Sequence, residues 1–127
     1  MTETKQMAFR EAINLAMTEE MRKDETIFFF FLVVGFYGVD FGKSVGMFEE
    51  FALDRVKDTA ISEVAIAGSA IGAAITGLRP IVDVTFMDFI TIALDAIVNN
   101  GAKNNYMFGG GLKKPVTFRV ASGSGIG

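Results

Sequence analysis

Between Asp58 and Phe89 the chain reads DTAISEVAIAGSAIGAAITGLRPIVDVTFMDF, a stretch with few ways to fold. It carries no charge from Val64 to Leu78, and Ala, Gly and Ser fill the spaces between Ile66, Ile71 and Ile75. Side chains this short predict a helix whose backbone lies close to a neighbouring element. Gly77 suits the left-handed position that ends a helix. Pro80 stops the helical pattern and pushes Arg79 toward an extended conformation. Ile81, Val82 and Val84 form a β-branched run, as in a strand buried on both faces. The stretch therefore predicts strand, helix, strand, with Glu63 in the first turn of the helix. An acid there has an ordinary explanation, its favourable interaction with the positive end of the helix dipole.

The other segments build around this unit. Phe9, Ile13, Ala16 and Met17 recur at helical spacing, which predicts an amphipathic helix over residues 7–22 with those residues inward. Ile27–Val34, IFFFFLVV, is a continuous apolar run between polar flanks, as expected of a buried central strand. Gly35–Gly42 is a glycine-spaced loop whose spacing fits neither the P-loop nor the dinucleotide fingerprint. A short helix over Val45–Phe51 and a short strand near Asp54–Lys57 are expected next. Beyond Phe86, residues 88–105 predict one helix capped by Asp88, with Phe89, Ile92, Ala93, Ala96 and Ile97 inward. Asn104, Asn105 and Gly109–Gly111 predict a turn-rich loop, and Val116–Val120 a last strand.

The whole predicts an α/β fold, residues 1–127 forming a single domain. Its expected architecture is doubly wound, a short, mainly parallel sheet of about four strands with helices on both faces. The net charge of −3, without a basic cluster, argues against a nucleic-acid partner. With no Cys and no His, thiolate chemistry and thiolate metal sites are excluded, as are the commonest general base and metal ligand, and no metal site is expected. The charge-free runs Thr26–Val39 and Val64–Leu78 fall short of the roughly 18–20 residues of a membrane span. No membrane partner is expected. The mixed-charge start carries no secretory leader signature, and the expected compartment is the cytoplasm.

The words Asp58-Thr59-x-Ile61-Ser62-Glu63, Ala67-Gly68-x-Ala70-x-Gly72-Ala73-Ala74 and Gly77-Leu78-Arg79-Pro80-Ile81 add a resemblance. It extends through Asp95–Asn99 and Ala102–Met107 to Pro115–Arg119. The chain resembles the beta subunits of thiamine-diphosphate-dependent 2-oxo-acid dehydrogenases, and within them looks closest to acetoin dehydrogenase beta subunits. The resemblance implies the pyrimidine-binding domain of that family. It implies that Glu63 hydrogen-bonds N1′ of the cofactor's aminopyrimidine, favouring the imino tautomer whose 4′ nitrogen takes the thiazolium C2 proton. It also implies that Phe89 packs on the pyrimidine ring. Magnesium and the diphosphate would be held by a partner alpha subunit.

The resemblance also has departures. Positions 31–35 are expected to read Gly-Glu-Asp-Val-Gly and read Phe31-Leu32-Val33-Val34-Gly35, so the acidic pair is Leu32-Val33. Val39 stands for an expected glycine and Phe36 for a smaller residue. The family's beta-subunit histidine is expected beyond Gly127. These departures lead to a non-catalytic, stand-alone domain derived from such a beta subunit by engineering, truncated, inactive alone and binding no cofactor alone. That domain is expected to associate with itself. The alternative is a beta-subunit fragment that contributes the aminopyrimidine site, Glu63 and Phe89, to an acetoin or 2-oxo-acid dehydrogenase completed by an alpha subunit.

Overall fold

The computed structural model describes residues 5–32, 46–113 and 115–124, with the side chain of Leu32 outside that description. The expected loop Gly35–Gly42, Val33 and Val34 at the strand end, and the substituted positions Phe36 and Val39 also lie outside it. The chain order is α1 (Phe9–Lys23), β1 (Ile27–Leu32), α2 (Met47–Arg55), β2 (Val56–Thr59), α3 (Glu63–Ile75) and β3 (Arg79–Phe86). A 3-10 turn (Met87–Thr91), a π-helical segment (Ala96–Lys103), α4 (Asn104–Met107) and β4 (Thr117–Ala121) follow.

The four strands form one sheet in the order β2-β1-β3-β4, every neighbouring pair parallel. The four consecutive phenylalanines of β1 explain its central place. Alternation sends Phe29 and Phe31, stacked with centroids 5.7 Å apart, to one face. Phe28 and Phe30, edge to face at 4.7 Å, go to the other. On the first face Phe29 packs with Met17 and Met21 of α1, Met47 of α2 and Val56 of β2. On the second face Val82 and Val84 pack under Ile66 and Ala70 of α3. Ala67 and Ile71 then continue the core against Ala93 and Ala96. Each large side chain buried this way contributes roughly 1.5–3 kcal/mol. Helices cover both faces, as the sequence predicts.

The end of α3 follows from Gly77. At φ 102° it takes the left-handed position, its N–H donates to Ala74 O, and the N–H of Leu78 donates to Ala73 O. This is a Schellman closure, and the chain can then enter β3 directly.

Several expectations need correction. Phe9 is 83% exposed, and Ala16 is exposed, because α1 turns Met17, Thr18 and Met21 to the sheet. The helical backbone of α2 breaks at Ala52 (φ 53°), just past the expected end at Phe51, and resumes to Arg55, so β2 begins at Val56, two residues later than the sequence pattern suggests. No single helix spans 88–105. The chain makes a 3-10 turn whose N-cap is Phe86, without any side-chain cap from Asp88, and then widens into a π-helix. Consequently Phe89 and Ile92 face outward, while Ala93, Ala96 and Ile97 do pack inward. Asn104 and Asn105 belong to α4 rather than to the glycine turn.

Candidate functional site

In an open parallel sheet, the crevice for ligands lies beyond the carboxyl ends of strands whose following connections leave to opposite faces. Here β1 and β3 are such neighbours. The segment after β1 reaches α2 on the α1 face, and the segment after β3 returns over the α3 face. The amino end of α3, the 3-10 turn and the residues after β4 all lie at this carboxyl edge. The Thr59 hydroxyl donates to Phe31 O at 2.9 Å and ties the ends of β2 and β1 together there.

Glu63 opens α3. Ser62, extended at φ −160° and ψ 93°, is the N-cap; its carbonyl accepts from the Ile66 N–H at 3.0 Å, but its hydroxyl caps nothing. Glu63 is only 7% exposed. No hydrogen bond or ion pair among the described residues engages its carboxylate. Its oxygens are not among the fully buried unpartnered polar atoms of the described residues, so the carboxylate is largely enclosed but still reaches solvent at the amino end of the helix. The helix dipole accounts for an acid at this position.

Phe89 sits on the 3-10 turn, 42% exposed, and meets Phe86 edge to face with centroids 6.1 Å apart. A common cluster links its surroundings to those of Glu63: Ile66, one turn beyond Glu63, and Ile90, beside Phe89, both pack against Val82 and Val84. The two predicted residues thus stand on elements clamped together at one edge. A cleft of about 430 Å³ opens between the start of the 3-10 turn and the end of β4, lined by Phe86, Met87, Asp88 and Ala121–Ser124.

Sequence reasoning missed one polar pair. Asp83, only 6% exposed, receives the Arg119 guanidinium on the α1 face, and that guanidinium also lies 5.2 Å over the Phe29 ring. An aspartate inside the apolar run of β3 and an arginine inside β4 carried the signal, since a charge in such a strand needs a partner across it. The pair lies within the sheet layer, under Met17.

The family model described as transketolase, pyrimidine binding domain, matches residues 5–126, and the chain belongs to that family. It is 43% identical over 123 residues to the pyruvate dehydrogenase E1 component subunit beta of Rhizobium meliloti, covering 97% of this chain and 27% of that one. It is 41% identical over 120 residues to the 2-oxoisovalerate dehydrogenase subunit beta of Bacillus subtilis, covering 94% and 37%. The mitochondrial pyruvate dehydrogenase E1 component subunit beta-1 of Oryza sativa is 40% identical over 123 residues, covering 97% and 33%. The chain thus spans about a third of the length of these relatives.

An aminopyrimidine ring would call for a carboxylate acceptor and a flat apolar face. Glu63, 7% exposed, and Phe89, 42% exposed, are side chains of those two kinds. Among the described residues no three acidic, His or Cys side chains converge on a cation position.

Proposed function

We propose that this chain forms the aminopyrimidine side of a thiamine diphosphate site in a 2-oxo-acid or acetoin dehydrogenase beta subunit, completed by an alpha subunit. The observation that supports this most directly is the largely enclosed Glu63 side chain, without a hydrogen-bond partner among the described residues, at the amino end of α3. Glu63 would accept a hydrogen bond from N1′ and so hold the ring in its imino tautomer; in that tautomer the ring's own 4′ nitrogen serves as the base. Phe89 would pack on the ring and exclude water from it. When bound, thiamine diphosphate supplies the thiazolium carbon nucleophile that this protein's side chains do not possess. Glu63→Gln keeps the shape and removes the charged acceptor. It is expected to weaken binding of 4-amino-2-methylpyrimidine, or of thiamine diphosphate with an alpha subunit present, by about tenfold or more. Equal binding by both proteins would overturn the assignment.

One sequence observation favours a second reading, a non-catalytic domain engineered from this scaffold: Leu32-Val33 stands where the resemblance leads to Glu-Asp. Leu32→Glu separates the two. If the strand end serves only as core, the new carboxylate costs about 2–4 kcal/mol at neutral pH. Its folded-state pKa would then be raised, so the penalty fades as pH falls from that raised value toward the ordinary glutamate value and is gone below it. If the strand end borders a polar site, the denaturant midpoint at neutral pH stays where it was.

A further inference from the structure

β3 and β4 pair in simple register through Ile81–Thr117, Val82–Phe118 and Asp83–Arg119, and then the register breaks. The next partners are Phe86 and Ala121, so three steps along β3 answer two along β4. One extra residue is therefore accommodated at Val84–Thr85, a β-bulge at the carboxyl end of the strand. Its effect on side-chain direction can be read from the clusters. Val82 and Val84 face α3, together with Phe118 and Val120. Simple alternation would send Phe86 to that same face. Pairing with Ala121 assigns it instead to the register of Asp83 and Arg119, and it lines the cleft with Ala121–Ser124.

Phe86 is also the N-cap of the 3-10 turn. In 3-10 geometry residues three apart eclipse one another, so the ring re-aimed by the bulge falls against Phe89. The contact is edge to face at 77°. Bonds from Ile92 N–H to Phe89 O at 3.1 Å and from the Thr91 hydroxyl to Asp88 O at 2.8 Å hold the turn in that form.

We propose that the β3 bulge and Phe86 form a positioning device for Phe89, fixing the plane of an otherwise exposed ring so that a flat heteroaromatic ligand meets it already oriented. The proposal rests on the reading of Glu63 and Phe89 as an aminopyrimidine site. A ring ordered beforehand binds more tightly because less freedom is lost on binding. Phe86→Leu removes the edge-to-face partner while keeping apolar bulk, and Phe86→Tyr restores it. Two measurements are made on each protein: the order of the Phe89 ring by nuclear magnetic resonance of isotope-labelled phenylalanine, assigned with Phe89→Leu, and the dissociation constant for 4-amino-2-methylpyrimidine. Phe86→Leu is expected to loosen the Phe89 ring and weaken binding about three- to tenfold, and Phe86→Tyr to restore both. Phe86→Leu leaving the Phe89 ring as ordered as before would overturn the proposal, whether or not the pyrimidine binds. If the ring loosens but the unaltered chain ignores the pyrimidine, or Glu63→Gln leaves binding unchanged, the aminopyrimidine reading fails. The proposal then falls with it, the ring data showing which of the two was at fault.

Discussion

Arg55 joins three elements through one guanidinium. It donates to Met21 O at 2.7 Å, to Asp24 O at 2.8 Å and to Ile27 O at 2.7 and 3.0 Å, and it lies 5.1 Å over the Phe51 ring. The last carbonyls of α1 and the first of β1 thereby gain donors that neither helix nor strand supplies. A lysine keeps the charge but cannot span these carbonyls from a single tetrahedral ammonium. Arg55→Lys is therefore expected to lower stability by about 1–3 kcal/mol, read as a shifted denaturant midpoint with unchanged slope. An unmoved midpoint would mean that water serves these carbonyls equally well. Asp24, in the same turn, governs part of the acid response. The Thr26 hydroxyl at 2.6 Å, then Arg79, then the Thr26 N–H hold its carboxyl down at about 2, below its ordinary 3.8. A depressed folded-state value contributes stability that is complete above the ordinary value and is lost as pH falls through the folded one. Asp24→Asn is thus expected to flatten the fall in denaturant midpoint between pH 3.8 and about 2. The group is exposed, so added salt should shrink the difference between the two proteins. An equally steep acid loss in the Asn variant would assign that loss to other carboxylates.

At the scale of elements, α3 shows how a small-residue sequence is used. Its buried face is Ile66, Ala67, Ala70, Ile71 and Ala74, and the close approach predicted from short side chains is real along the alanines. It does not extend to the glycines of the helix: a Cβ added at Gly68 or at Gly72 would meet nothing within 4 Å. Gly72→Ala, on an exposed helical position, is accordingly expected to stabilise this chain by up to about 1 kcal/mol, and its thermal midpoint tests this. A loss instead would show that α3 is held against something at that face. The same elements show what sequence alone can disclose. The Thr76–Pro80 break, the β-branched run of β3 and the four phenylalanines of β1 are local signals whose meaning no tertiary contact overturns. The segment after Phe89 is different, because its apolar spacing fits one regular helix. The chain instead follows its contacts: Ala93, Ala96 and Ile97 pack with Ala67 and Ile71 of α3, and Gly101 passes beside Ile71, where an added Cβ would make an ordinary contact at 3.4 Å with Ile71 Cδ1. Glu63 and Phe89 could be named from the sequence as candidate residues, but the bulge that re-aims Phe86 could not. Bulges depend on a register between strands more than thirty residues apart, and no local pattern encodes that.

Over the whole molecule, polar and apolar surface are divided unequally. The turn between α1 and β1 is tied by Arg55, by the Asp24–Arg79 pair and by the Arg79 N–H donating to Thr26 O at 2.9 Å. The segment after β3 leaves several large apolar side chains in solvent. Ile92 and Leu94 are about half exposed, and Tyr106, Met107 and Phe108 project from α4 and its turn, Tyr106 at 90%. Tyr106, Met107 and Phe108 are consecutive in sequence and largely exposed, and large apolar side chains left in solvent together favour association. We expect the chain to self-associate at micromolar concentration, with light-scattering mass rising on concentration. Two routes predict different responses. Association through the apolar patch should weaken in a Tyr106→Ser, Phe108→Ser double variant and strengthen with sulfate, which reinforces burial of apolar surface. Association through the backbone edge of β4 should ignore both substitutions and respond to a proline placed in Thr117–Ala121 on the outward hydrogen-bonding side. The exposed area argues for the patch, since β4 offers only five residues of edge. A mass that stays monomeric from micromolar to millimolar concentration would overturn both routes and leave Tyr106 and Phe108 as tolerated surface residues.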